Sequence, residues 1–275
     1  MKIRIIALIM IICVLFSSCG GGDDKQNDGK DVVESQSEAS SQTVNMPVSG
    51  KLPESTEVDR SYFDDAAFVG DSISLKLSYY QASTSALGKA QFFASGSLSA
   101  ANALWDVSDK SVHPSYQGTK SRVEDCVVLS GAKKLFIMLG MNDIGIYGLE
   151  GSIENYKELL GLILEKSPGI EVFVQSMTPM AASSTSKSSK LNNDKIKEYN
   201  ALLLEMCKEN GWYFLDVASV MYDDAGYLKD SYCSDLSSMG MHFTNEGCDA
   251  WVNYLKTHAI NAEAFPVVEV PEAVG

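Results

Sequence analysis

Three short polar stretches carry side chains suited to acyl transfer: the hydroxyl of Ser72 in Phe68-Val69-Gly70-Asp71-Ser72, the carboxamide of Asn142 in Gly140-Met141-Asn142-Asp143, and the imidazole of His242 in Met241-His242-Phe243-Thr244. An alcohol is a weak nucleophile until an adjacent base takes its proton, and a neutral imidazole with a pKa near 6.5 is matched to that task. The chain holds three histidines, so the search for a base is short. His258 is expected in the last turn of a helix, where an imidazolium complements the dipole. His113 precedes Pro114 in a loop with no strand leading to it. His242 is the expected base. The side-chain N–H₂ of Asn142 suits an oxyanion hole. Each residue also has a plainer reading: Ser72 as a helix cap, Asn142 as a turn residue.

These residues matter only if the elements before them point to one place. Apolar runs at 135–139, 172–174 and 213–215, with weaker ones at 66–69 and 91–94, read as strands. Near-continuous apolarity implies burial on both faces, hence a parallel sheet covered by helices. Between them, Ser121 with Glu124 suggests a capping box. Ile153, Tyr156, Leu159, Leu160, Ile163 and Leu164 recur at helical spacing, and Ser167-Pro168-Gly169 stops that helix. Further helices are expected over 191–210, ended by Gly211, and from Thr244 or Asn245 onward. Alternating strands and helices predict right-handed βαβ units in a three-layer α/β/α sandwich. In such sheets ligands bind at the carboxyl ends of the strands. Ser72 and Asn142 each follow a strand, and the His242 loop could reach the same rim.

Taken together, Gly70-Asp71-Ser72, the glycine of Ala94-Ser95-Gly96-Ser97, Gly140-Met141-Asn142-Asp143 and the late His242 resemble the four blocks of the SGNH (GDSL-like) hydrolase superfamily. The match runs from about Phe63 to His258. It implies a mostly parallel, flavodoxin-like fold and a serine esterase without cofactor or metal. By that resemblance Ser72 is the nucleophile, and the Ser72 N–H, the Gly96 N–H and the Asn142 side chain are the oxyanion donors. One departure stands out. The superfamily usually has an aspartate three residues before the histidine, where this chain has Met239. The nearest upstream acid is Asp235, which a loop could fold back; a Ser–His dyad oriented by a backbone carbonyl is the alternative. A non-catalytic binding lipoprotein that kept the fold is the rival from another class.

The ends of the chain speak to location. Lys2 and Arg4 precede an apolar run over 5–16, short of the roughly 20 residues a spanning helix needs, so residues 1–18 read as a signal segment. Phe16-Ser17-Ser18-Cys19-Gly20 resembles a bacterial lipobox, making Cys19 the expected lipidation site and the membrane a partner through that lipid. Residues 19–57, rich in Gly, Ser, Asp and Gln, read as a flexible tether, 58–262 as the hydrolase domain and 263–275 as a loose tail. A net charge of −14 with no basic run in the domain disfavours nucleic acid.

Of six cysteines, Cys126 and Cys207 fall in apolar helical surroundings and read as core. Cys233 and Cys248 bracket His242 and could form a disulfide; a zinc site there lacks the usual ligand spacing. The expected substrate is an ester of cell-surface or extracellular carbohydrate, such as an O-acetyl group. Methionines 138, 141, 177, 180, 239 and 241 fall near the expected rim and are either core or an adaptable acyl pocket suited to lipid. Acyltransferases share the same blocks.

Overall fold

The computed structural model describes residues 50–260. The signal segment, the lipobox with Cys19, most of the expected tether and the C-terminal tail lie outside the described residues.

Along the chain run β1 (Gly50–Lys51), β2 (Ala66–Gly70), α1 (Ser72–Thr84), β3 (Gln91–Ala94), the single-turn α2 (Ala100–Ala103), β4 (Ser115–Tyr116), β5 (Thr119–Lys120), α3 (Val123–Ser130), β6 (Lys134–Met138), α4 (Ile144–Lys166), β7 (Glu171–Gln175), α5 (Asn193–Asn210), β8 (Tyr213–Leu215) and α6 (Asn245–Lys256). Strands β4 and β5 pair only with each other, as a small antiparallel hairpin. The remaining six form one sheet in the order β1-β8-β7-β6-β2-β3, all neighbours parallel. Helix α1 packs against α6, while α3, α4 and α5 pack in series. The result is the three-layer α/β/α sandwich expected from the alternation of apolar runs.

An aromatic ladder crosses the sheet. Phe92, Phe68, Phe136, Phe173 and Tyr213 occupy paired positions on adjacent strands. Their rings stack in sequence at centroid distances of 4.8, 4.7, 4.6 and 5.3 Å. A one-residue slip would turn every rung to the opposite face, so the ladder pins the register. With Phe68 opposite Phe136, Gly70 lies opposite Met138, and β2 and β6 end side by side.

The chain leaves β2 for β3 on one side and then crosses to β6 on the other, so the order reverses between β2 and β6. Crevices at such a reversal, at the carboxyl ends of the strands, are where α/β sheets bind ligands. Ser72 follows β2 and Asn142 follows β6, one on each side of it.

Two local expectations need correction. Residues 50–57 belong to the ordered domain and not to a tether: β1 pairs with β8, Leu52 is 1% exposed, and Ser55 N–H donates to the Thr257 carbonyl at 2.6 Å. The capping box at Ser121 does not form. Arg122 is the N-cap of α3, the Ser121 hydroxyl donates to the Thr119 carbonyl, and the Glu124 carboxylate is buried against the Arg122 guanidinium. Helix α4 is interrupted at Gly148, where φ is 71° and ψ −178°, so that one turn, 144–147, precedes the main rod.

Candidate active site

Ser72 opens α1, but it does not cap it. That task falls to Asp71, whose carboxylate accepts from Ile73 N–H at 2.9 Å and leaves the Ser72 hydroxyl free to point elsewhere. The strand-to-helix turn is tight enough to need Gly70: a Cβ there would sit 2.0 Å from Ser74 Oγ and 2.8 Å from the Met138 carbonyl. Half-buried at a helix N-terminus, Ser72 sits where free N–H groups and the dipole favour negative charge.

His242 reaches it from a loop. Its Nε2 lies 3.0 Å from Ser72 Oγ, and its Nδ1 lies 2.7 Å from Asp235 Oδ2. With Nδ1–H donating to the carboxylate, Nε2 accepts the serine hydroxyl, the tautomer a base must hold. The partner of Nδ1 is therefore the Asp235 carboxylate, seven residues ahead of the histidine, and not a backbone carbonyl. Closure of that loop is visible in its hydrogen bonds. Cys233 and Phe243 form an antiparallel bridge, and Ser234 N–H donates to the His242 carbonyl at 2.8 Å. Asp235 Oδ1 accepts Met241 N–H at 3.0 Å, His242 N–H at 3.1 Å and the Cys233 thiol at 3.3 Å. Burial tends to raise the Asp235 pKa, but these donors outweigh it and hold the carboxyl below its ordinary value.

The loop is braced from two sides. Phe243, fully buried, meets Trp251 edge-on at 5.8 Å, and the Trp251 indole N–H donates to Gln175 Oε1 at 2.7 Å at the end of β7. The segment after β7 holds the other flank: Ala181 N–H donates to the Gly240 carbonyl at 2.7 Å, and the Ser184 hydroxyl bonds the Met239 carbonyl. Met239, where the superfamily's acid would stand, is 44% exposed and contributes its backbone.

Asn142 sits across the sheet reversal. Its Nδ2 donates one hydrogen to the Leu98 carbonyl at 3.0 Å, leaving the second available. This bond ties it to the turn containing Gly96, which is exposed and in which Ser97 takes a left-handed φ of 62°. A Cβ built on Gly96 would meet nothing within 4 Å. Asp143, given no role by the sequence, secures the same junction. Buried, it accepts Ala100 N–H and Ala101 N–H at 3.1 Å each and so caps α2 from a neighbouring element. Gly140, at φ 138°, allows the backbone to pass Met177 and Tyr199, which a Cβ would strike at 2.4 Å.

The other candidates fall elsewhere. His113 is buried, with Nε2 3.2 Å from the Ala103 carbonyl. His258 stacks on Tyr254 and sets Nδ1 3.0 Å from the Tyr254 carbonyl. Burial lowers its pKa, which disfavours the imidazolium expected at that helix end. Cys126, Cys207, Cys233 and Cys248 are all buried free thiols, so the 233–248 bridge is not formed. Five of the six rim methionines, 138, 141, 177, 180 and 241, are core residues, the first of the two readings the sequence offered for them. Among the described residues, no group of three or more His, Cys, Asp or Glu is placed to hold a metal, and no helix is long and apolar enough to cross a membrane.

A parallel α/β/α sheet that sets a Ser–His–Asp chain of hydrogen bonds at its strand ends, opposite a free carboxamide N–H, has the architecture of a serine acylhydrolase. Residues 68–250 match the model of the GDSL-like lipase/acylhydrolase family. The chain belongs to that family, and it is a carboxylic ester hydrolase. Solved structures agree on the fold. A protein described as an acylhydrolase from Bacteroides fragilis shares 20% identity at a TM-score of 0.55, over 74% of this chain and 88% of its own. A GDSL-like lipase from Bacteroides thetaiotaomicron shares 18% at 0.54, over 69% and 84%. No curated protein matches the chain significantly.

Proposed function

We propose that this protein removes O-acetyl or other short acyl groups from carbohydrate at the cell surface or outside it, by two-step transfer through Ser72. The Ser72 Oγ–H proton passes to His242 Nε2 as Oγ bonds the ester carbonyl carbon. The imidazolium, paired with Asp235, then gives that proton to the departing alkoxide as the ester C–O bond breaks. Water repeats the sequence in reverse and frees the acid. The Ser72 N–H, the Gly96 N–H and the second Asn142 hydrogen receive the oxyanion.

The observation that carries this reading is the pair of distances 3.0 and 2.7 Å through His242. A short acyl group suits a site whose neighbouring methionines are packed into the core. The location follows from Lys2 and Arg4, the apolar run to Phe16 and the Ser17-Ser18-Cys19-Gly20 sequence, which support export and a lipid anchor on Cys19.

The test is labelling with a fluorophosphonate, compared with hydrolysis of p-nitrophenyl acetate and octanoate. Wild type is expected to be labelled and to favour acetate, and Ser72→Ala to be silent in both. Labelling that survives Ser72→Ala would refute the assignment of the nucleophile; preference for octanoate would refute the short acyl group.

A further inference from the structure

Beside Asn142 the surface opens into a shallow cleft of about 240 Å³, lined also by Ser97, Asn102, Trp105, Ile146 and Tyr147. Trp105 is 58% exposed, Ile146 71% and Tyr147 40%. Large apolar side chains gathered in the open mark a binding surface more often than an accident of packing. Here two separate elements supply them, and both are held rigidly.

The Trp105 backbone is anchored by Arg122, whose guanidinium donates to the Trp105 carbonyl at 3.2 Å and the Leu104 carbonyl at 3.4 Å while pairing with buried Glu124 at 2.5 Å. Ile146 and Tyr147 sit on the short turn that opens α4, which the left-handed Gly148 separates from the main helix. Asp143 joins the two walls, since it begins the Tyr147 turn and caps α2, after which Trp105 emerges. A cleft fixed in this way loses little freedom when a ligand enters.

Its chemistry narrows the occupant. None of the lining side chains is ionisable near neutral pH, so a phosphate headgroup would find no cation there. The volume is below the roughly 300 Å³ at which drug-sized sites begin, and the cleft is open, so a long acyl chain would not be enclosed. Aromatic surfaces beside amide and hydroxyl groups match a small ring with an apolar C–H face and a hydroxyl-bearing edge.

We propose that Trp105 and Tyr147 form a subsite for one neutral sugar ring, the part of the substrate that carries the ester, and that this ring presents the acyl carbonyl to Ser72. The subsite rests on the carbohydrate-esterase reading above.

The test uses the full chain and two kinds of ester: p-nitrophenyl acetate, and a panel of O-acetylated oligosaccharides of xylose, mannose and N-acetylglucosamine. Trp105→Ala and Tyr147→Ala are expected to lower kcat/KM on the preferred glycan by about tenfold or more, mainly through KM. Turnover of p-nitrophenyl acetate should change less than about twofold, and Trp105→Phe should restore most of the glycan activity. Equal losses on both esters, or none on any glycan while Ser72-dependent turnover of p-nitrophenyl acetate persists, would overturn the subsite and leave the esterase standing.

If neither ester is turned over in a Ser72-dependent way, the esterase reading fails and binding decides the subsite. Trp105 is far more exposed than the buried Trp251. Quenching of tryptophan fluorescence by the deacetylated panel in Ser72→Ala, abolished by adding Trp105→Ala, would support it; absence of quenching would overturn it.

Discussion

At the scale of single residues, the proposed mechanism makes the placement of Asp235 decisive for His242. An acid seven positions upstream reaches the ring because the Cys233–Phe243 bridge folds the intervening loop back, and because three further donors fix the carboxylate. Replacing Asp235 by Asn keeps the shape but permits the ring to present its proton to Ser72. In a serine protease the corresponding change lowers kcat about 10⁴-fold, and a loss of similar order is expected here for p-nitrophenyl acetate, with folding retained by circular dichroism. A loss under about tenfold would mean that Asp235 does not orient the base.

Asp71 behaves in the opposite way. Burial is the main cause that raises its pKa from 3.8 to about 6, only partly offset by the Ile73 N–H and by nearby His242. Because the folded pKa lies above the unfolded one, the native state binds this proton more tightly. Stability attributable to Asp71 is therefore full below about pH 4 and declines as pH rises to about 6, by at most roughly 3 kcal/mol. Asp71→Asn retains an oxygen for the Ile73 N–H and removes the titration. Its urea midpoint relative to wild type is expected to rise between pH 4 and pH 7; a difference that stays constant over that window would show that Asp71 does not titrate as its burial dictates.

At the scale of elements, the turn after β2 and the turn after β3 make different demands on glycine. Gly70 lies against Ser74 and Met138, whereas Gly96 has open space on its Cβ side. Gly70→Ala should cost about 1–3 kcal/mol through overpacking. Gly96→Ala should leave stability unchanged or raise it by about 0.4–1 kcal/mol through the unfolded chain. Thermal denaturation of the two variants separates the cases, and equal destabilisation would contradict the contrast. The same turns show what a sequence can reveal. The five main strands were legible because each is a short apolar run, Ser72 and Asn142 stood out because each follows such a run, and His242 because it lies just ahead of the last helix. The contact to Asp235 was harder: it was one of two ways to orient the ring, since nothing local encodes a loop closed by a bridge between residues 233 and 243. The Ser121 capping box failed because Glu124 turns inward to Arg122 and to Lys166 at the far end of α4, the second a tertiary contact that no local pattern shows. Asp143 went unnoticed for a related reason, since the N–H groups it accepts belong to another element.

At the scale of the whole molecule, the domain begins earlier than its composition suggests. Two residues of strand are too few to show as a pattern, and the surrounding polar residues read as tether. Yet β1 covers the outer edge of β8, and Leu52 is buried. Ser55 N–H donates to the Thr257 carbonyl at 2.6 Å, Val58 N–H to the Lys256 carbonyl, and Ala259 N–H to Ser55 Oγ at 3.1 Å. This segment therefore fastens the C-terminal end of α6, the helix whose N-terminal end follows directly on His242. Removing residues 50–57 would uncover the β8 edge, an invitation to intermolecular pairing, and would delete a buried leucine worth about 2–5 kcal/mol on truncation to alanine. For a domain of this size each kcal/mol shifts Tm by about 2–4 °C, so the deletion should lower Tm by roughly 4–20 °C and increase aggregation on heating. Leu52→Ala should account for much of the shift in Tm while leaving the edge covered. A deletion variant that melts with wild type would return these eight residues to the tether and place the start of the domain at residue 58.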